Sequence, residues 1–194
     1  MLAIGISTRK YIPDRFIFNH GIIEDVPIGK VYGITGGYQI KNNVSRYYLG
    51  LRYSVGDYKE LGYFGTNLEY GTYFRGTNAE QSVLTAGINY FTNLIKLGKW
   101  RIRQFVRPEL TIGFNRFSTD SLTLKNDYGL YEFNSSGLTG TNRLIVSFQT
   151  QSYAPWNFIG FHFGPYFSYS LGLLGDYATE FKKSRLYSQI VFGV

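Results

Sequence analysis

Arg101, Arg103 and Arg107 share one parity of a single alternating segment, and Glu109, Thr111 and Asn115 continue the row. Trp100, Ile102, Val106, Pro108, Leu110, Ile112 and Phe114 occupy the other parity. Successive side chains of a β-strand point to opposite faces, so this spacing gathers guanidinium and carboxylate groups on one face and an apolar band on the other. Arg52, Arg116 and Arg143 add cations from other segments, and Glu69 adds a second carboxylate. Such a row can select anions or attract acidic lipopolysaccharide. It can equally close on Glu69 and Glu109 as a salt-bridge network that fills an interior. Against lipid each charge would cost roughly 2–4 kcal/mol near the bilayer midplane, so the row belongs on a wet or protein-filled side. The expected lining is Arg52, Glu69, Arg101, Arg103, Arg107, Glu109, Arg143 and His162.

The remaining reactive types are few. The chain has two histidines and no cysteine, which excludes thiolate catalysis, thiolate metal sites and disulfides. His162 falls on the parity of Tyr166, Ser168 and Ser170. A lipid hydrolase would need a histidine, a serine and an orienting group together, and spacing along one strand does not provide that. A lumenal histidine bonded to a neighbour is the expected role, and His20, beside Asn19, is expected in solvent. Gly33-Ile34-Thr35-Gly36-Gly37 lacks the Lys-Ser/Thr pair of a phosphate loop and reads as curvature in a strand. Asp14, Glu24 and Asp25 match no calcium-loop spacing and read as solvated turns. No metal, cofactor or catalytic residue is expected.

The elements that would carry these residues alternate throughout. Tyr47, Leu49, Leu51, Tyr53 and Val55 oppose Tyr48, Gly50, Arg52, Ser54 and Gly56. A run of ten or more alternating residues exceeds the usual soluble strand and suits a tilted membrane crossing. About ten strands are expected. The first covers residues 2–9, and a loop holding Pro13 and Pro27 follows, with a short strand near 16–22 inside it. One strand begins at Trp100, with a bulge or edge at Pro108. A weak strand covers 121–126, and one continuous strand runs from Ile159 to Leu171. Short and long connections alternate, and no linker divides residues 1–194, so a single domain is expected.

Composition points the same way. The chain has 194 residues, 44% hydrophobic and 19% aromatic, with 18 Tyr and 16 Phe. Rings with a polar tip suit the two boundaries of a bilayer. No stretch of about 18 uncharged apolar residues is present, which excludes a helical membrane protein. The net charge of +7 is dispersed along strands and turns, and no nucleic-acid partner is expected. Both termini read as strand, and an incomplete all-β, antiparallel, up-and-down transmembrane β-barrel is the expected fold class.

Gly129-Leu130-Tyr131-Glu132-Phe133, followed by Gly137-Leu138-Thr139-Gly140-Thr141-Asn142-Arg143-Leu144-Ile145-Val146-Ser147-Phe148-Gln149, resembles a region of the bacterial surface-antigen superfamily of outer-membrane barrels. That superfamily includes BamA, TamA and the two-partner secretion transporters, or the chain resembles a related outer-membrane barrel. Family members carry a loop with an arginine–glycine tip that tucks into the lumen. Here Tyr131 and Glu132 stand in place of those two residues, Gln149 in place of a glutamate, and Ser168 or Ser170 in place of an aspartate. The resemblance implies a lumenal loop at Gly129, Tyr131, Glu132 and Phe133, and about four strands before and two after this chain. It implies a Gram-negative outer-membrane location, contact with lipid and lipopolysaccharide, and client outer-membrane or secreted proteins. The implied work is protein insertion or translocation, without enzymatic activity. A porin-like channel or structural barrel is the alternative, and a lipid-acting enzyme a more remote one.

Overall fold

The computed structural model describes residues 1–41, 43–117, 120–125, 130, 137–176 and 181–194. The chain is all-β. Its strands are β1 (Leu2–Arg15), β2 (Ile23–Lys41), β3 (Val44–Lys59), β4 (Gly62–Arg75), β5 (Asn78–Thr92), β6 (Ile95–Leu97), β7 (Trp100–Phe114), β8 (Asn142–Tyr153), β9 (Asn157–Phe158), β10 (Phe161–His162), β11 (Tyr166–Gly175) and β12 (Leu186–Gly193). No helix among the described residues is long and apolar enough to cross a membrane.

Ten strands form one up-and-down sheet in the order β1-β2-β3-β4-β5-β7-β8-β11-β12, and β9 and β10 make a separate small hairpin. β6 pairs only with β7, on the line that β5 follows higher up, so nine staves run from edge to edge. The sheet is open: β1 and β12 do not pair, and no barrel is closed. The turns at 16–22, 60–61, 98–99 and 154–165 share one end, called here the near rim. The turn at Asn43, the turn at 76–77 and the ends of β7 and β11 share the far rim.

The two faces differ in chemistry. The outer face carries Ile4, Ile34, Leu51 and Tyr70 in one cross-strand register. Leu84, Ile112 and Leu110 follow it, then Leu144 and Leu173. Cross-strand pairs of this kind are the unit of sheet stabilisation. Tyr32–Tyr53 and Tyr38–Tyr47 pair on this face at ring separations of 5.2 and 5.3 Å. Six residues of β2 separate the two levels, about 20 Å along the strand.

The inner face is built from small and polar residues. Tyr48 lies over Gly50 and Gly71, where an added Cβ would come within 2.9 and 2.6 Å of its hydroxyl. The glycines make room for the ring, and the ring covers backbone that they leave bare. Two apolar clusters sit on this face. One, at the near rim, joins Ile17, Val26, Tyr63, Phe91 and Phe105. The other, at the far rim, joins Leu124, Leu130 and Leu174, with Leu122, Leu138 and Tyr187 beside them.

Several expected boundaries are corrected. β1 runs to Arg15 and β2 starts at Ile23, so residues 16–22 are the turn and the proline-bearing segments are strand. Pro13 and Pro27 are tolerated because β1 is an edge and β2 pairs with β3 only from Gly29 onward. Pro108 causes no register shift: the β5–β7 ladder lapses at Arg107–Pro108 and resumes in step. The described part of the expected strand at 121–126, residues 121–125, supplies two isolated bridges, Leu122 to Gly140 and Lys125 to Leu130, and no strand. The expected strand from Ile159 to Leu171 is broken, because Ile159 and Gly160 adopt φ of 52° and 85° and turn the β9–β10 hairpin.

Candidate functional site: a strap across the inner face

At Gly29 the β1–β2 hairpin leaves the sheet. Gly29 has φ of 129°, and a Cβ there would run into the Thr8 carbonyl, so only glycine fits. Beyond it the hairpin arm crosses the inner face. Ile17, Val26 and Ile28 pack with Tyr58 of β3, Tyr63 of β4, Phe91 of β5 and Phe105 of β7. The Tyr63 hydroxyl donates to the Pro27 carbonyl at 3.1 Å. Tyr63 and Phe91 stack at 4.9 Å.

The arm's tip is held by its own carboxylate. Glu24 Oε2 accepts from the backbone N–H groups of Ile17 at 3.1 Å and Phe18 at 2.9 Å, and Asn19 Nδ2 donates to Oε1 at 3.0 Å. Phe16 and Gly21, at φ of 59° and 71°, give the reversal.

Arg103 is the latch. Its side chain is 1% exposed and its Nη2 lies 2.7 Å from Asp14 Oδ1. Nε donates to the Phe16 carbonyl at 2.7 Å, Nη2 to the Arg15 carbonyl at 2.8 Å, and Nη1 to the Thr92 carbonyl at 2.7 Å. One guanidinium thus ties β7 and the end of β5 to the end of β1 and the start of the turn. Its planar fork is what allows one cation to satisfy so many acceptors. The second oxygen of Asp14 accepts from the Tyr58 hydroxyl at 2.8 Å. Tyr153 of β8 donates to the Phe16 or Ile17 carbonyl, each at 2.8 Å.

The tip ends on the β9–β10 hairpin. His20 and His162 stack at 4.2 Å with an interplanar angle of 8°, and His20 Nε2 lies 3.1 Å from the Ala154 carbonyl oxygen. His20 is therefore packed rather than solvated. His162 sits on a rim hairpin, on a different element from Ser168 and Ser170, so the single-strand row expected of it is not formed.

The other lining residues form local pairs along the same face. Arg52 Nε lies 3.2 Å from Glu69 Oε1 with both side chains about half exposed. Arg143 Nη2 meets Glu109 Oε1 at 2.6 Å, more deeply buried. Arg107 donates to Asn89 at 3.4 Å and Gln149 at 3.5 Å, and its guanidinium lies 5.0 Å above the Phe105 ring. Arg101 donates to the carbonyls of Gly98 and Trp100, at the near rim. Arg116 stands 3.8 Å from Asp120 at the far rim. The structure brings these residues to one face as pairs and leaves open space between them. Three clefts of about 340, 250 and 370 Å³ share Arg52, then Asn67 and Asn89, and so adjoin one another as a groove of mixed polar and apolar lining from Tyr48 to Ser147.

Gly129, Tyr131, Glu132 and Phe133 lie outside the described residues. Among the described residues no group of three His, Asp or Glu side chains could hold a metal ion. Spacing along β7 puts Arg103 on the face that the strap crosses but carries no sign of its partners. Asp14 and the tip carbonyls are remote in the chain, and Pro13 beside Asp14 read as a turn signal. No family model, known protein or solved structure matches the chain.

Proposed function

We propose that this chain is part of the wall of a Gram-negative outer-membrane β-barrel of the surface-antigen type, working in insertion or translocation of polypeptide without covalent chemistry. The observation that carries the reading is the opposition of the two faces. A membrane wall needs apolar side chains outward on every stave and polar groups inward. Soluble proteins rarely expose an apolar surface that wide. Lipid and lipopolysaccharide are the partners of the outer face, and the dispersed basic residues suit acidic head groups.

The strap supports translocation over open passage. A hairpin latched across the near rim narrows any path along the inner groove, and a latch of hydrogen bonds can be released as one unit. The porin-like alternative draws on the groove beside Arg52 and Glu69, which the arm borders at Pro27 and Ile28 without filling it.

Vesicles of outer-membrane lipid composition test the reading. The full chain is expected to conduct poorly, to gain conductance on Arg103→Ala, and to speed the insertion of a reporter barrel over protein-free vesicles. Stable anion-selective conductance from the unaltered chain, with no effect on the reporter, would favour the channel instead.

A further inference from the structure

The β9–β10 hairpin lies off the sheet, where the chain runs on past the near-rim ends of β8 and β11. Its two sides differ. Asn157 and His162 pair across one side, and His162 stacks on His20 at the strap tip. Phe158 and Phe161 pair across the other, because successive side chains of a strand alternate. Trp156, Phe158, Ile159 and Phe161 are 61–80% exposed, an unusual load of bare apolar surface for one rim turn. The turn itself is built against the usual preference. Ile159 and Gly160 both stand at positive φ, where a two-residue hairpin turn favours asparagine or aspartate before the glycine. A β-branched residue held there is strained. Turn geometry selects against isoleucine at this tip, so contact with an apolar surface is what its side chain serves.

We infer that this hairpin is a tab seated in the bilayer at the boundary of acyl chains and head groups, and that its polar side braces the strap tip from there. The inference rests on the membrane reading above, to which it adds a lipid contact off the sheet and a route from lipid to strap. Continuity names the bilayer as the occupant. Trp156 meets Trp100 edge to face at 5.1 Å, and Trp100 ends the outer face of β7, beside Leu97 and next to the Ile102–Ile95 pair. The apolar surface of the sheet thus passes onto the hairpin without a break. Its junction is a pair of indoles, the rings that favour a membrane–water boundary. Charge agrees with the same occupant. Residues 95–101, which carry Trp100, hold Lys96, Lys99 and Arg101 and no carboxylate, a set that complements the phosphates of anionic lipid.

The brace follows from the polar side. His20 carries the contact of the strap tip with this region, through its stack on His162 and through Nε2, 3.1 Å from the Ala154 carbonyl oxygen. The hairpin is joined to the sheet by a narrow ladder, in which Ala154 N–H donates to the Phe163 carbonyl at 2.9 Å and Ser152 N–H to the Pro165 carbonyl at 3.0 Å. Left in water, a two-stranded hairpin of this size is a marginal support. Held by lipid on its Phe158–Phe161 side, it presents His162 to the strap tip from a fixed position.

The chain has no cysteine, so a fluorophore on Ile159→Cys reports the hairpin tip alone. The probes are vesicles of phosphatidylglycerol and phosphatidylethanolamine, brominated either high on the acyl chains or near their ends. High bromines are expected to quench the tip about three times more strongly than deep ones, and aqueous iodide to quench it little. In the same vesicles Phe158→Ser/Phe161→Ser is expected to speed amide exchange at Phe18 about tenfold, whereas Phe158→Leu/Phe161→Leu, which keeps the side apolar, leaves it slow. Strong iodide quenching, or deep bromines that match or exceed high ones, overturns the lipid seat. So does shielding from iodide without bromine quenching, the result that a protein partner or a second copy would give. Unchanged exchange in the serine chain, or equal acceleration in the leucine chain, overturns the brace. A fluorophore on Leu51→Cys in the deep-brominated vesicles separates the two levels of failure. If it is quenched, the tab inference alone has failed; if it is not, the membrane reading has failed as well.

Discussion

The inner face is covered twice, and only one of the covers carries a polar latch. At the near rim the strap packs on Tyr63, Phe91 and Phe105 and is tied by directional bonds from Arg103, Tyr58 and Tyr153 to Asp14 and the tip carbonyls. At the far rim Leu124 and Leu130 rest on Gly172, where an added Cβ would come within 3.1 and 2.5 Å of their methyl groups, and Leu174 packs alongside. A polar latch holds one arrangement and fails abruptly when a single partner is lost. An apolar cap tolerates repacking and weakens by degrees. The comparison predicts that the strap releases sharply when one polar partner is lost, whereas the cap weakens by degrees.

The largest effect is expected from Arg103→Ala, which leaves the half-buried Asp14 without its ion-pair partner and removes three further hydrogen bonds. Breaking a buried pair in this way costs about 3–5 kcal/mol. The loss should appear as faster amide exchange at Ile17 and Phe18, with the far rim unchanged. Leu130→Ala should cost about 2–4 kcal/mol through the cavity it opens. That loss should lower the denaturation midpoint without freeing the strap, and loss of strap protection there would break the comparison. Gly29→Ala should cost about 1–3 kcal/mol because the residue is held at positive φ against the Thr8 carbonyl. Here the readout is displacement of the arm, seen as exposure of Tyr63 to an aqueous quencher. Tyr153→Phe removes one hydroxyl bond to the tip and should cost about 1 kcal/mol. The smallest effect belongs to Arg52→Ala. Its ion pair with Glu69 is solvent-exposed, and such pairs contribute about 0–1 kcal/mol. A larger destabilisation would mean that the groove is a packed network instead of an open path.

Much of the sheet was legible in the sequence because a half-buried strand writes its period directly. Tyr47 to Gly56, and Arg101 to Thr111, could be assigned to faces from spacing alone. The strap was not legible, for identifiable reasons. Pro13 and Pro27 are loop signals in most contexts, and here they lie on an arm flanked by one strand. Phe16, Ile17, Phe18 and Ile22 alternate loosely like a strand, yet Phe16 and Gly21 are turned by positive φ. The stack of His20 on His162 joins two loops far apart in the chain, and periodicity carries no long-range information. The pairing of Arg103 with Asp14 is hidden for the same reason.

The proposed membrane wall requires its outer face to meet lipid. Single cysteines placed in turn from Val31 to Gln39 of β2, each bearing a fluorophore, can be read in vesicles with brominated acyl chains. Strong quenching at Tyr32, Ile34 and Tyr38, with little at Val31, Thr35 and Gln39, is the predicted result. Uniform quenching, none at all, or the opposite alternation would contradict it.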